Sequence, residues 1–537
     1  MKLAIKTLIL MLGLCPVALS AISTEEYFQI LRDRRSINCI AVKSAVAAFD
    51  STQPWPEQSS NGDQALYADF RGNFGKALDH SMDGFINTSA YRSLLLALQS
   101  GTQANFNAIQ LGGSRRLVNP QASIAYSLSG CDSWRNFIPP APKFSSAETA
   151  AEMVEVYWTV LCRDVPFNDF DSDATVASAV ADLNTLSDFT GPKAGGVVTT
   201  GTFLRGSTPG DLIGPYISQF LYQDIPYGTA IITPEQTVPD SGTVNDFNST
   251  FNDWFTVING GSTGNTTSYD ATPSFIRTPR DLAEFVHVDF PGQEGINAVL
   301  LLTSYGDEAL DPANPYRNNS TQEGFVQFGI AHVLSLVQRA SEEALKSAWY
   351  HKWQVNRRCR PEEFAFYVQQ QVVGGTPLSI NNELINSAAL GQIFSTYGTY
   401  FLPAAYPEGS PAHPSYPAGH ATFIGAVVTV LKAFFNENYV FPSPLEPNGT
   451  NDALQAFAGP DLTVGNELNK LAANISLGRD HAGVHYRSDG WQGMLLGEKI
   501  AIDVLNNDSF LFHEDFAGYT LTTFEGNTIT VGGKRSP

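Results

Sequence analysis

Three short stretches in the second half of the chain gather residues able to hold an anion and to move a proton. The first is HKWQVNRRCRPE, in which Lys352 is followed eight positions later by Arg360 and then Pro361. Proline disfavours helical backbone in the residue before it, so the helix carrying Lys352 is expected to stop near Arg360. Arg360 on the departing loop can then turn back toward Lys352. The second is HPSYPAGHATF, where His413 and His420 flank Pro417, Ala418 and Gly419 ahead of an apolar run, GAVVTVLKAFF. A helix starting there offers unpaired N–H groups and a partial positive charge, an anion site. Gly419 carries no Cβ to hold an anion away from the backbone, and His420 stands over the same point as proton donor or acceptor. The third is LGRDHAGVHYRSDGW, with Arg479, His485 and Asp489. Gly483 predicts a break, so that Arg479 ends one helix and His485 opens the next. Asp489, four residues past His485, can hold one imidazole N–H and direct the other nitrogen's lone pair at a ligand.

Together these residues supply three fixed cations, a helix N-terminus, an acid-base histidine and an oriented histidine. That set describes a site for a tetrahedral or trigonal-bipyramidal oxyanion, phosphate or vanadate. A rival reading takes His481, His485 and Asp489 as a divalent-metal site, but it leaves Lys352, Arg360 and Arg479 without a role. Asp480 and His481 read either as a neutraliser of Arg479 with a spare proton carrier, or as a solvent-facing loop pair.

The background sharpens the contrast. The chain has 537 residues and a formal charge of −21, which argues against nucleic acid or an anionic membrane as a partner. Clustering cations in so acidic a protein is costly without an anion to neutralise them.

The elements that position these residues read as helices. Ser145-Ser146-Ala147-Glu148 looks like a capping box opening TAAEMVEVYWTVL. The segment from Gly324 to Val355, ATFIGAVVTVLKAFF and GWQGMLLGEKIAIDVL all show helical periodicity. YTLTTFEGNTITVGG alternates around a Gly-Asn turn, one terminal hairpin. The expected fold is mainly α, a large helical-bundle architecture with two four-helix-bundle-like cores and a small C-terminal β-hairpin. Its expected divisions are a signal peptide at 1–20, a helical and loop region packing on the core at 21–320, a catalytic bundle at 321–510 and a hairpin with tail at 511–537.

The N-terminus, MKLAIKTLILMLGLCPVALSA, has a basic start, an apolar stretch and a small-residue cleavage site near Ser20, a signal peptide too short to span a membrane. The expectation is a secreted or periplasmic protein with no membrane span. Cys39, Cys131, Cys162 and Cys359 would remain after processing, with any of three pairings open; Cys359 is expected as a free, packed thiol.

These motifs resemble those of the vanadium-dependent haloperoxidases, within the wider group that includes type 2 phosphatidic acid phosphatases and bacterial acid phosphatases. The likeness is greatest to the algal bromoperoxidases and runs from about Arg116 to Leu505, through RRLVNP, AEMVEVYWTVLCRDVPF, KWQVNRRCRPE, EGSPAHPSYPAGHAT and NELNKLAANISLGRDHAGVHYRSDGWQGMLLGE. The Lys-to-Arg spacing of eight, Gly478 before Arg479 and His413 seven before His420 all resemble that subgroup. The resemblance implies vanadate as cofactor, bound axially by His485 with Asp489 behind it. Lys352, Arg360, Arg479 and the Gly419 N–H would hold its equatorial oxygens, and His420 would be the acid-base group opposite. It implies hydrogen peroxide, a halide and small organic acceptors as partners, with His413 and Trp349 on the halide side. It also implies a homo-oligomer, a dimer or larger.

The sequence departs from the family at Ala418, where relatives carry serine, leaving bromide against iodide open. A phosphatase with a phosphohistidine intermediate on His485 and a non-catalytic anion binder remain the alternatives.

Overall fold

The computed structural model describes residues 44, 47–48, 51–52, 56–243, 245–509 and 511–532. The expected signal peptide and Cys39 lie outside these. Helices dominate the described residues, and strands occur only as short two-stranded hairpins. The C-terminal hairpin, Tyr519–Thr522 paired with Thr528–Val531, turns through Phe524, Glu525 and Gly526, one residue ahead of the expected Gly-Asn pair, and Asn527 already accepts from the Thr523 N–H at 2.9 Å. Two further hairpins, Ile225–Tyr227 with Ala230–Ile232 and Leu445–Pro447 with Leu454–Ala456, gave no comparable signal in the sequence.

The helices that build the site are α1 (Ala147–Leu161), α2 (Pro279–Val288), α3 (Gln293–Ser304), α4 (Ile330–Tyr350), α5 (Pro361–Val372), α6 (Gly419–Phe434), α7 (Val464–His481) and α8 (Arg487–Ser509). Helix α6 is apolar on nearly every face and buried along nearly all of its length, as a central helix must be. It packs on α4, α7 and α8, most extensively on α8, while α3 lies against α4 and α6. A second helical group forms where α1 meets Ala174–Leu183 and Ala388–Tyr397. One apolar core runs through both groups.

The α6–α8 contact is backbone against backbone. A Cβ on Gly497 would lie 2.1 Å from the Thr422 carbonyl oxygen, and one on Gly425 would lie 2.5 Å from that of Met494. Only glycine fits at either position. This approach brings the start of α6 onto the start of α8, where the Ala418 N–H donates to the Asp489 carbonyl at 2.9 Å. The second and third motifs are thereby joined.

Two local expectations change. Ser146 caps α1, accepting from the Thr149 N–H at 3.1 Å, so Glu148 falls one position short of a capping box. The helix carrying Lys352 does not run on to Arg360. Helix α4 loosens at Tyr350 into a π-turn, His351–Asn356, and Arg357 then takes left-handed backbone at φ 47°. Pro361 opens α5 instead of ending α4, because its fixed φ suits the first turn and it has no N–H to leave unpaired. Arg360 is the N-cap residue of α5, and its N–H donates to Glu363 at 2.8 Å.

Candidate functional site

The π-turn turns Lys352 inward, where its Nζ donates to the Pro414 and Ser415 carbonyls at 2.7 and 2.8 Å. Arg360 crosses the same space. Its Nε donates to the His413 carbonyl at 3.0 Å, one terminal nitrogen to the Val484 carbonyl at 2.7 Å and to His485 Nε2 at 2.8 Å, and the other to His413 Nδ1 at 3.0 Å. Arg479 leaves the last turn of α7 and donates to the Val286 carbonyl at 2.7 Å and the Tyr406 hydroxyl at 3.2 Å. Segments more than a hundred residues apart thus deliver three buried cations to one place.

His485 lies between α7 and α8, beyond the left-handed Gly483 at φ 78°. Asp489, on the first turn of α8, accepts its Nδ1–H through Oδ2 at 2.9 Å. That fixes the tautomer and leaves the Nε2 lone pair facing Arg360. Asp489 is itself anchored: Oδ2 accepts from the Ser415 hydroxyl and the Tyr486 N–H, and Oδ1 accepts from Arg358 at 2.9 Å. Burial, then the cations Arg360, Lys352 and Arg479, push the imidazole well below its ordinary range. It is neutral at neutral pH, the state a ligand or nucleophile needs.

His413 is buried, and its ring lies 4.9 Å from the partly exposed ring of Trp349. Burial, then Lys352 and Arg360, depress it as well. Gly419 begins α6 beside Trp349, where an added Cβ would find ordinary contact at 3.4 Å. The protein itself therefore does not demand glycine there. The N-cap residue Ala418 supplies no side-chain cap. His420, one residue in, is held through Nε2 by Asp289 at 2.9 Å.

The charges do not balance. Among the described residues none of the three cations makes a direct ion pair with a carboxylate, and Asp489 is already matched by Arg358. Burial first, with Arg360 adding to it, pushes Lys352 well below the lysine range; burial, with Arg479 adding, lowers Arg360 to about 10. Arg479 Nε is buried with no acceptor at all. An orphaned donor, excess positive charge, an uncapped helix start and a neutral imidazole lone pair together fit an oxyanion such as vanadate.

Sequence reasoning missed several residues. Asp289 has no signal, being a carboxylate just past a helix and 131 positions away from His420. Ser415 and Arg358 were inside the quoted motifs, but only the fold shows that they clamp Asp489. Asp480 and His481 belong elsewhere. Both are buried on α7, with Asp480 among Glu155 and Arg487 and His481 Nε2 at 3.1 Å from the Tyr216 hydroxyl. They are neither a solvent-facing pair nor part of the pocket, and no group of three potential metal ligands occurs among the described residues. Cys359 is a buried free thiol 3.8 Å from the Tyr486 hydroxyl.

A helical fold with an oxyanion pocket around a neutral histidine defines the class, and comparison with known proteins narrows it. The family model described as the VCPO second helical-bundle domain matches residues 332–514. The chain is 34% identical over 515 residues to a vanadium-dependent bromoperoxidase of Ascophyllum nodosum, covering 89% of this chain and 90% of that one. It is 31% identical to the vanadium-dependent bromoperoxidase of Corallina pilulifera, covering 88% and 94%. A solved structure of the second vanadate-dependent bromoperoxidase of Ascophyllum nodosum superposes with a TM-score of 0.86 at 29% identity, covering 95% of this chain and 91% of that one. The chain belongs to the vanadium-dependent haloperoxidases, and it is an enzyme of that type.

Proposed function

We propose that this enzyme oxidises bromide or iodide with hydrogen peroxide to hypohalous acid, which then halogenates small organic acceptors in solution. The overall reaction is H2O2 + X⁻ + H⁺ → HOX + H2O, with X⁻ the halide. The observation that carries the reading is the surplus of buried cations around a histidine whose free lone pair points among them. His485 Nε2 would ligate vanadate, and Lys352, Arg360, Arg479 and the Gly419 N–H would hold its oxygens. When bound, vanadate supplies the Lewis acid that activates peroxide toward the halide.

The chain's own residues do the rest. Asp489 keeps the His485 lone pair directed inward, and Arg358 and Ser415 keep Asp489 in place. His420, paired with Asp289, takes a proton from the incoming peroxide and returns one to the leaving oxygen. Lys352 and Arg479 stabilise the charge that develops on those oxygens. His413 and Trp349 present the halide side. Ala418 removes one donor to the oxyanion, which favours iodide, the most easily oxidised halide.

The N-terminal sequence supports export, to a secreted or periplasmic location. No helix among the described residues is long and apolar enough to cross a membrane. The solved Ascophyllum relative is titled a homohexamer, which supports a homo-oligomer here.

The decisive experiment loads oxyanion-free protein with orthovanadate and follows bromination and iodination of a phenolic dye between pH 5 and 8. Activity that rises with vanadate and falls with competing phosphate is expected. No gain over the unloaded protein with either halide would remove the reading. Phosphomonoester hydrolysis blocked by stoichiometric vanadate would replace it with a phosphatase using His485 as nucleophile.

A further inference from the structure

Arg479 reaches the pocket between two segments that it does not belong to. One of its terminal nitrogens donates to the Val286 carbonyl in the last turn of α2 at 2.7 Å, and to the Tyr406 hydroxyl in the segment ahead of α6 at 3.2 Å. Its guanidinium lies 5.4 Å from the centre of the Tyr406 ring. Tyr406 is buried and donates to the Ala283 carbonyl at 2.5 Å. Whatever fixes the end of α2 against Tyr406 therefore fixes where Arg479 points.

That join is made by a residue the reaction as described does not use. His287, next to Val286, stacks on Tyr406 with ring centres 3.8 Å apart and planes 9° from parallel. Its Nε2 meets Glu408 Oε1 at 2.8 Å, and its Nδ1 faces Glu284 Oε2 one turn back on α2 at 3.6 Å. A neutral imidazole has one N–H and serves one of these carboxylates, whereas the imidazolium serves both. Burial acts to lower His287, but the hydrogen bonds and charges of Glu284 and Glu408 overcome it and hold the ring up at about 9. The other charged and titratable groups around the clamp hold its partners. The Tyr269 hydroxyl donates to Glu284 at 2.9 Å, and Lys76 and Arg115 donate to the Glu408 carbonyl at 2.7 and 3.1 Å. Asp289, two residues on, is turned to His420. Burial pushes the Tyr406 phenol up, so it stays a hydroxyl while His287 titrates.

We propose that His287, as an imidazolium, is a positioning residue of the oxyanion site: it pins Glu408 and Tyr406 to the end of α2 and so holds Arg479 in the direction a bound oxyanion needs. The inference rests on the reading of the pocket as an oxyanion site. The clamp is complete below the ordinary imidazole range and is lost as pH rises through about 9. There the ring gives its proton to water, one N–H disappears, and two carboxylates are left around a neutral ring. Arg479 then loses its fixed seat, and oxyanion affinity falls.

The test is the dissociation constant of orthovanadate between pH 6.5 and 10 for wild type, His287→Gln and His287→Arg, without peroxide or halide. His287→Gln keeps a hydrogen bond but no charge. It should bind about tenfold more weakly than wild type at pH 7, a usual loss when the group that orients a holding residue is removed. The gap should close as pH passes about 9, where the wild-type ring is neutral too. His287→Arg keeps a planar cation able to stack on Tyr406 and stays charged throughout. It should match wild type at pH 7 and bind about tenfold more tightly at pH 10. Comparing proteins at one pH cancels the titration of vanadate, Lys352 and Arg360, which all three share. A gap between wild type and His287→Gln that is absent, or constant with pH, overturns the proposal, because packing alone does not titrate. Should His287→Gln not fold, His287→Arg decides: a pH dependence identical to that of wild type overturns the clamp. A wild type that shows the expected differences yet oxidises no halide removes the haloperoxidase reading and leaves the clamp standing. A wild type that binds no vanadate removes both.

Discussion

Two buried clusters of arginine and lysine lie side by side in this molecule, and they are built on opposite principles. In the layer against α1, three buried arginines each have their anion. Arg487 makes a forked pair with Glu155, Arg358 bridges Glu152 and Asp489, and Arg163 meets Asp246 at 2.7 Å. At Arg358 and Arg487 the carboxylates overcome burial and hold both above the usual arginine range; at Arg163 burial, with Arg280 adding to it, still wins over Asp246. In the pocket a few ångströms away, burial holds Lys352 and Arg360 below theirs, because partners that are carbonyl dipoles, an imidazole and neighbouring cations do not offset it. The first cluster is complete as folded, whereas the second is complete only when an anion arrives. A functional cation is therefore marked less by its residue type than by the absence of a matching carboxylate.

The sharpest way to break this comparison is to remove one cation from each cluster. Arg487→Met strands Glu155 in the interior, and losing one partner of a buried pair costs about 3–5 kcal/mol. Lys352→Met leaves two carbonyls short of a donor but also relieves repulsion, so denaturant unfolding of the oxyanion-free protein should show a loss below about 2 kcal/mol. Vanadate at a hundred times its Kd should stabilise the wild type by about 2.7 kcal/mol and Lys352→Met by much less. Equal losses from the two substitutions, without oxyanion, would show that the pocket cations are structural like their neighbours.

Next in size is His485→Ala. It removes the lone pair that Asp489 directs into the pocket while leaving Arg358 on Asp489. Vanadate retention through dialysis should be abolished, with phosphate binding weakened but measurable, since the cations remain. Equal retention by mutant and wild type would place the oxyanion elsewhere.

The sequence carried much of this contrast and not all of it. The three motifs were legible because each packs its chemistry into a dozen residues, and the helical periods around them were strong. Lys352, Arg360, Arg479, His485 and Asp489 meet as their spacing allows. The paired cluster was not legible, because ion pairs such as Arg487 with Glu155 join residues more than three hundred positions apart. For the same reason Asp289, 131 positions from His420, went unread. The π-turn at His351–Asn356 was hidden too. Local propensity would continue α4, and it is packing around the site that loosens it, a common feature where a helix must re-aim a side chain. Asp480 and His481 were misplaced for the converse reason. Adjacent to Arg479 in sequence, they point from α7 into the paired layer.

A smaller effect separates halide from oxyanion. His413→Ala removes the ring that accepts from Arg360 Nη2 and packs against Trp349, but keeps the backbone carbonyl that holds Arg360 Nε. Bromide KM should change several-fold while vanadate affinity changes less. Matched changes in both would mean that the ring serves mainly to hold Arg360.

The finest test concerns Ala418, the position where the family resemblance implies a serine. Ala418 is fully buried at the N-cap of α6, with φ −68° and ψ 129°, backbone that a serine adopts freely. A hydroxyl in Ala418→Ser has two competing uses. It can turn to the backbone N–H groups of the first turn, which would raise the stability of the oxyanion-free protein by about 0.5–2 kcal/mol. Or it can donate to a bound oxyanion, worth about 1.5–3 kcal/mol for a hydrogen bond to a charged group, or roughly ten- to a hundredfold in affinity. The surplus of positive charge decides between them, because a dipole already surrounded by cations gains more from an anion than from another N–H. The expected result is tighter vanadate binding with little change in unfolding without it, and a gain of bromide over iodide oxidation. A rise in stability with unchanged vanadate affinity would assign the hydroxyl to the helix, and would show that the missing serine is not what sets the halide range of this pocket.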